Sequence, residues 1–95
     1  MYDITINYNH MEKKMESRVA IIGIIVENEN SIEELNALLH EYRNYIISRM
    51  GLPYKAKNIS IISIAMDAPQ DVINALTGKI GKLHGISSKT AFSKV

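Results

Sequence analysis

The run Val19-Ala20-Ile21-Ile22-Gly23-Ile24-Ile25-Val26 decides the fold. It is β-branched and unbroken, which makes it a strand. A strand with one face in water alternates between apolar and polar residues, and this one does not. Either both its faces are covered within the chain, or its second face meets another chain. At eight residues it is far too short to cross a bilayer.

Downstream, Ser31 and Glu34 have the spacing of a capping box at the start of a helix. Ile32, Leu35, Leu39, Tyr42 and Ile46 recur every three or four residues as one apolar stripe, and acids crowd the first turn, where the helix dipole favours them. Gly51 and Pro53 forbid further helix, so a second strand is placed over residues 45–52, followed by a polar turn at 55–58. A third strand covers 59–66, with Ile61, Ser63 and Ala65 on one side and Ser60, Ile62, Ile64 and Met66 on the other. A second helix starts near Pro69. Its stripe is Val72, Ile73, Leu76, Ile80 and Leu83, and Gly85 suits its C-terminal stop. A fourth strand covers 86–92, with Ile86, Ser88, Thr90 and Phe92 on one face.

The order strand–helix–strand–strand–helix–strand describes an α+β, ferredoxin-like βαββαβ sandwich, with a four-stranded antiparallel sheet and two helices on one face. The other face is left bare. Because the strand at 19–26 supplies apolar side chains to it, a lone copy would expose a patch of the size that marks an interaction surface. Self-association, as a dimer or tetramer, is the economical answer. Residues 1–16 read as a flexible extension. Ile4, Ile6 and Tyr8 alternate with polar residues, as in a short edge strand, but residues 9–16 are polar and charged. Residues 17–95 form the domain.

Ninety-five residues make one domain, and 46% hydrophobic residues are enough for one core. There is no cysteine, which removes disulfide frameworks, thiolate metal sites and thiol nucleophiles together. With no apolar signal segment near the N-terminus, this points to the cytoplasm. The net charge of +1 does not recruit nucleic acid by itself. The charge is unevenly placed, however. Glu27, Glu29, Glu33, Glu34 and Glu41 form an acidic stretch, whereas residues 77–95 carry Lys79, Lys82, Lys89 and Lys94 and no acid. Two solvated faces explain this, as does attraction across a subunit contact.

Catalytic chemistry finds no foothold. No serine sits in a nucleophile elbow, and Asp67 and Asp71 are explained by a dipole-favoured helix start. No catalytic residue, metal set or cofactor is assigned. His10 lies in the extension, and His40 and His84 close the two helices, whose antiparallel course puts those ends apart, so the pair shares no metal within one copy. The segment Thr77-Gly78-Lys79-Ile80-Gly81-Lys82 is not a P-loop, because its glycines lie inside a helix. Gly78, Lys79 and Gly81 are candidates for close helix packing or, less directly, for an anion. Arg49 reads either as an edge-strand charge that discourages aggregation or as a guanidinium holding an anion at a subunit boundary.

Several segments together resemble a known family: residues 36–40 (Asn-Ala-Leu-Leu-His), residues 48–54 (Ser-Arg-Met-Gly-Leu-Pro-Tyr), residues 75–83 and Gly85. Over residues 18–94 the chain looks like the iron-only hydrogenase system regulators, which are related in fold to ACT domains and to the C-terminal domain of the nickel-responsive repressor. The resemblance implies a ferredoxin-like (ACT-like) oligomer with a regulatory role. It does not carry over a DNA-binding domain, the repressor's nickel ligands or the glycine of ACT effector loops, since the loop here reads Glu27-Asn28-Glu29-Asn30. The expectation is a non-enzymatic regulatory or sensor module, with a small anionic ligand held near His40, Arg49 and Tyr54. The alternatives are docking on another protein of the same pathway through the basic C-terminal third, or DNA binding by Lys79, Lys82 and Lys89 of an oligomer.

Overall fold

A computed structural model describes residues 3–6 and 16–94. The elements are β1 (Asp3–Ile6), β2 (Ser17–Val26), α1 (Ile32–Glu41), β3 (Ile46–Tyr54), β4 (Ile59–Pro69), α2 (Gln70–Ile80) and β5 (Ile86–Phe92). Single 3-10 turns at Glu29–Ser31, Arg43–Tyr45 and Lys55–Lys57 join them. The fold is α+β, with one antiparallel sheet in the order β1-β3-β4-β2-β5. The expected sheet of four strands is thus five. The fifth comes from the segment read as an extension, where Asp3–Ile6 pairs with residues 48–51 of β3. The remainder of that segment, His10 and Tyr8 included, lies outside the described residues.

β2 is an inner strand of the sheet, paired on one side with the central strand β4 and on the other with the edge strand β5. Its even-numbered residues, Ala20, Ile22, Ile24 and Val26, are buried with Ile62, Ile64, Met66 and Ala68 of β4 under the two helices. The helix stripes supply the rest of this core. Leu35 and Leu39 come from α1, Tyr42 and Ile46 from the segment after it, and Ile73, Leu76 and Ile80 from α2. The 3.6-residue and two-residue periods therefore meet where the sequence placed them. Among the described residues no helix is long and apolar enough to cross a membrane.

Three local expectations are corrected. Ser31 forms no capping box. Its hydroxyl donates to the His84 carbonyl at 2.6 Å, and Asn28 instead caps the preceding 3-10 turn by accepting from the Asn30 N–H. A buried hydroxyl with a tertiary acceptor at hand uses it in preference to the helix start. Gly85 is not the stop of α2, which ends at Ile80 with Gly81 in ordinary helical conformation. Gly85 has φ of +73° in the turn before β5, and a Cβ there would lie 2.5 Å from the Asn28 Cβ. Third, β3 begins at Ile46, has a bulge between Ile46 and Ser48, and runs to Tyr54, because Pro53 is accommodated opposite Ser60.

The glycines of α2 do not serve packing either. A Cβ on Gly78 would meet nothing within 4 Å, and one on Gly81 only ordinary contacts with helix carbonyls at 3.5 and 3.6 Å. Gly78→Ala should therefore stabilise the chain by about 0.5–1 kcal/mol, the helix-propensity difference. Urea denaturation checks this, and a loss of stability would mean that the position is needed bare.

Candidate functional site

Side chains on paired antiparallel residues share a face, so the register sorts the sheet into two sides. The side away from the helices carries, strand by strand, Ile4 and Ile6; Ser48, Met50, Leu52 and Tyr54; Ile59, Ile61, Ser63, Ala65 and Asp67; Val19, Ile21, Gly23 and Ile25; and Ser87, Lys89 and Ala91. Among the described residues the exposed large hydrophobic ones are Ile4, Ile6, Ile21, Met50, Tyr54, Ile61 and Phe92, and all except Phe92 lie on this one face. Single exposed apolar residues are normal on a protein surface, but a contiguous set on one side of a sheet marks a contact surface. Nothing in the chain covers it among the described residues. The odd-numbered half of β2 thus remains open to water, as its unbroken apolar sequence implied.

The middle of this face is shallow. Gly23 lies level with Ser63 on one neighbour and Lys89 on the other, with Ala65 and Ala91 one rung away. Apart from the Lys89 carbonyl at 4.0 Å, nothing in the chain limits a side chain at Gly23. Glycine inside a strand weakens it, so its presence here is not explained by contacts within one copy.

The residues singled out from the sequence divide between faces. Arg49 pairs with Ile64 and so lies on the helix side, where one guanidinium nitrogen donates to Asn36 Oδ1 of α1 at 2.5 Å. His40 is one helical turn beyond Asn36, and its carbonyl accepts from Arg43 at 2.9 Å. Arg49 and His40 therefore share the flank between α1 and β3. Tyr54, five residues along β3, pairs with Ile59 and falls on the bare face, so the three expected ligand residues are not brought together. Their parity along the strand could have shown this. Nor is Arg49 on an edge, since β1 pairs along it, Thr5 being its partner there. His84 lies beside Ser31 at the start of α1 and His40 near its end, so the two histidines are about one helix length apart. Among the described residues no group of three or more His, Asp or Glu could hold a metal.

The glycine-rich end of α2 borders an open groove of about 410 Å³ between the helices. Glu34 and Glu41 line one wall, Lys79 and Lys82 the other, and Leu38 and Leu83 are also part of it. Lys79 Nζ is 3.4 Å from Glu41 Oε2 and 5.1 Å from the centre of the Tyr42 ring. Its pKa is raised above the ordinary lysine value, first by hydrogen bonding to the Tyr42 side chain, then, after desolvation acting the other way, by the charge of Glu41. The acidic helix and the basic third thus meet within one chain, across this groove. Lys89, in contrast, is on the bare sheet face, so one copy does not present Lys79, Lys82 and Lys89 as a single basic surface.

Arg18 escaped the sequence reading. At the start of the domain it donates to Gln70 Oε1 at 2.7 Å and to the Ser93 carbonyl at 2.9 Å, and it stacks 4.7 Å from the centre of the Phe92 ring. This accounts for Phe92, the exposed aromatic on the helix side. No local pattern in the sequence signals such a clamp, because its partners come from the far end of the chain.

A family model described as "TM1266-like: Iron-only hydrogenase system regulator, putative" matches residues 18–90. The chain is 30% identical over 81 residues to the "Putative nickel-responsive regulator" of Saccharolobus solfataricus, covering 82% of this chain and 60% of that protein. It is 28% identical, with the same coverage, to the protein of the same name from Saccharolobus islandicus strain L.S.2.15. The chain thus spans about three fifths of the length of the curated relatives it matches. The solved structure of the "uncharacterized protein TM1266 from Thermotoga maritima" superposes with a TM-score of 0.80 at 35% identity, covering 83% of this chain and 100% of that one.

Proposed function

We propose, for a chain that belongs to the TM1266-like family of iron-only hydrogenase system regulators, a non-enzymatic regulatory role exercised as a homo-oligomer. The observation that carries the oligomer is the bare sheet face. Six of the seven exposed large hydrophobic residues among those described lie on it, and the inner strand β2 is apolar on both sides. The segment β2 to β5 with α1 and α2 is read as the ferredoxin-like, ACT-like unit of such an assembly. The regulatory part rests on the family's description and on the names of the curated relatives, which also call them nickel-responsive. That response belongs to those proteins' names and is not part of the proposal.

A small anion, if the module senses one, would meet Arg49 and His40 on the flank of α1, without Tyr54. Docking through the basic C-terminal third is less well supported, since Lys79 is engaged by Glu41 within the chain. Light scattering over a dilution series tests the central reading. The expected result is a multiple of the 10.7 kDa chain mass that falls only at low concentration. A single copy at high concentration would overturn it. In the same samples, a thermal shift with sulfate, phosphate and carboxylates that Arg49→Ala abolishes would identify the anion flank, and no shift with any of them would remove it.

A further inference from the structure

We infer that β1 belongs to the surface on which a second copy of this chain packs, so that residues 3–6 are part of the assembly interface. The inference rests on the homo-oligomer reading and names the segment that extends it. β1 lies outside the segment that the family model matches, which begins at residue 18. Its register on β3 sets Ile4 level with Met50 and Ile6 level with Ser48, so both isoleucines continue the bare face by one strand. They are 63% and 50% exposed. In a lone copy, pairing this four-residue strand to the sheet gains backbone hydrogen bonds but leaves its two large side chains in water. A short edge strand with that balance is weakly held. A surface laid across the sheet would cover both.

A second copy is the occupant that fits. Among the described residues only two charged side chains lie on this face by register, Asp67 and Lys89. They are of opposite sign, as a self-complementary contact requires when the same patch serves both partners. The rest of the face is aliphatic or small, with no run of like charge that would select a nucleic acid or a strongly charged partner. Area points the same way. At about 4.8 Å per strand and 3.4 Å per residue, four strands present a modest face, and a stable contact needs about 800 Å² on each side. The fifth strand and its two isoleucines enlarge the face on its β3 side.

The experiment compares four full-length chains by sedimentation equilibrium: the parent, the double variant Ile4→Asp/Ile6→Asp, Thr5→Asp on the opposite side of the same strand, and Ile61→Asp at the centre of the face. The double variant should keep the parent's far-ultraviolet circular dichroism, because its side chains are exposed in one copy, and should dissociate at a concentration at least about tenfold higher. Thr5→Asp should stay within about twofold of the parent. If the double variant associates like the parent while Ile61→Asp does not, β1 is outside the interface and the inference fails alone. Equal weakening by Thr5→Asp also overturns it, since strand pairing rather than packing would then be the cause. If Ile61→Asp associates like the parent, the face itself is not the contact and the underlying reading falls with it.

Discussion

Ile61→Asp should leave the chain folded and raise the dissociation constant of its assembly by more than about a hundredfold. Ile61 is 38% exposed and lies on the bare face between Leu52 of β3 and Ile25 of β2. Within one copy its side chain already contacts water, so a carboxylate there is solvated and costs only strand propensity, a matter of about 1 kcal/mol or less. Across a symmetric contact the change is made twice. Each copy forfeits the burial of an isoleucine, about 1.5–3 kcal/mol when complete, and places a charge against aliphatic side chains without a partner, which costs more again. About 2.7 kcal/mol in total is already a hundredfold. Sedimentation velocity with circular dichroism on the same samples separates dissociation from unfolding. An unchanged sedimentation coefficient at micromolar concentration would mean that the contact lies elsewhere.

The second large effect is within one copy. Gly85→Ala should destabilise the chain by about 2–4 kcal/mol. The residue has φ of +73°, a conformation that costs an L side chain about 1–2 kcal/mol. The added methyl would also stand 2.5 Å from the Asn28 Cβ and 3.1 Å from its backbone nitrogen. The first is too close for a real Cβ contact and the second is tight, so the loop must shift, and forced overpacking of this kind costs about 1–3 kcal/mol. The shift has no easy direction. The Gly85 carbonyl accepts from the Glu27 N–H at 2.7 Å, and the neighbouring His84 carbonyl accepts from Ser31. Moving the turn away from Asn28 therefore strains both bonds. Equilibrium unfolding in urea measures the loss, and a value below about 1 kcal/mol would mean that the loop yields freely. The opposite sign expected at Gly78 makes the pair informative, since two glycines seven positions apart should respond in opposite ways.

Much of this architecture is visible in the sequence because it follows from local periods. The stripes of α1 and α2 need only the helical repeat, although Tyr42, Ile46 and Leu83 carry them past the helix ends, and the two sides of residues 59–66 need only alternation. The missing alternation in residues 19–26 points to the bare face before any coordinate does. What could not be read depends on contacts between distant segments. Ser31 and Glu34 have the spacing of a cap, yet Ser31 is drawn to a carbonyl 53 positions away. Gly85 looks like a helix stop, but its requirement comes from Asn28. The glycines of α2 suggest tight packing, and only the surroundings show that Gly78 faces open space. The strand at residues 3–6 is too short for its alternation to stand out from chance, and it is fixed by the edge that β3 offers. For the candidate site, His40, Arg49 and Tyr54 were expected together, but Tyr54 falls on the other face of β3, and Asn36, which accepts from Arg49, carries no distinguishing signal on a helix surface.

The position of β2 has a consequence for how the molecule is made. It is synthesised early, with only β1 before it, yet residues 20–26 pair with residues 86–92 of β5 as well as with β4. Arg18, at the opening of β2, waits for the carbonyl of Ser93. A nascent chain therefore carries its most apolar segment half-paired until residues 86–92 have been made, and closure of the sheet must wait for them. Throughout that interval the ribbon at residues 19–26 is the segment most in need of protection by a chaperone.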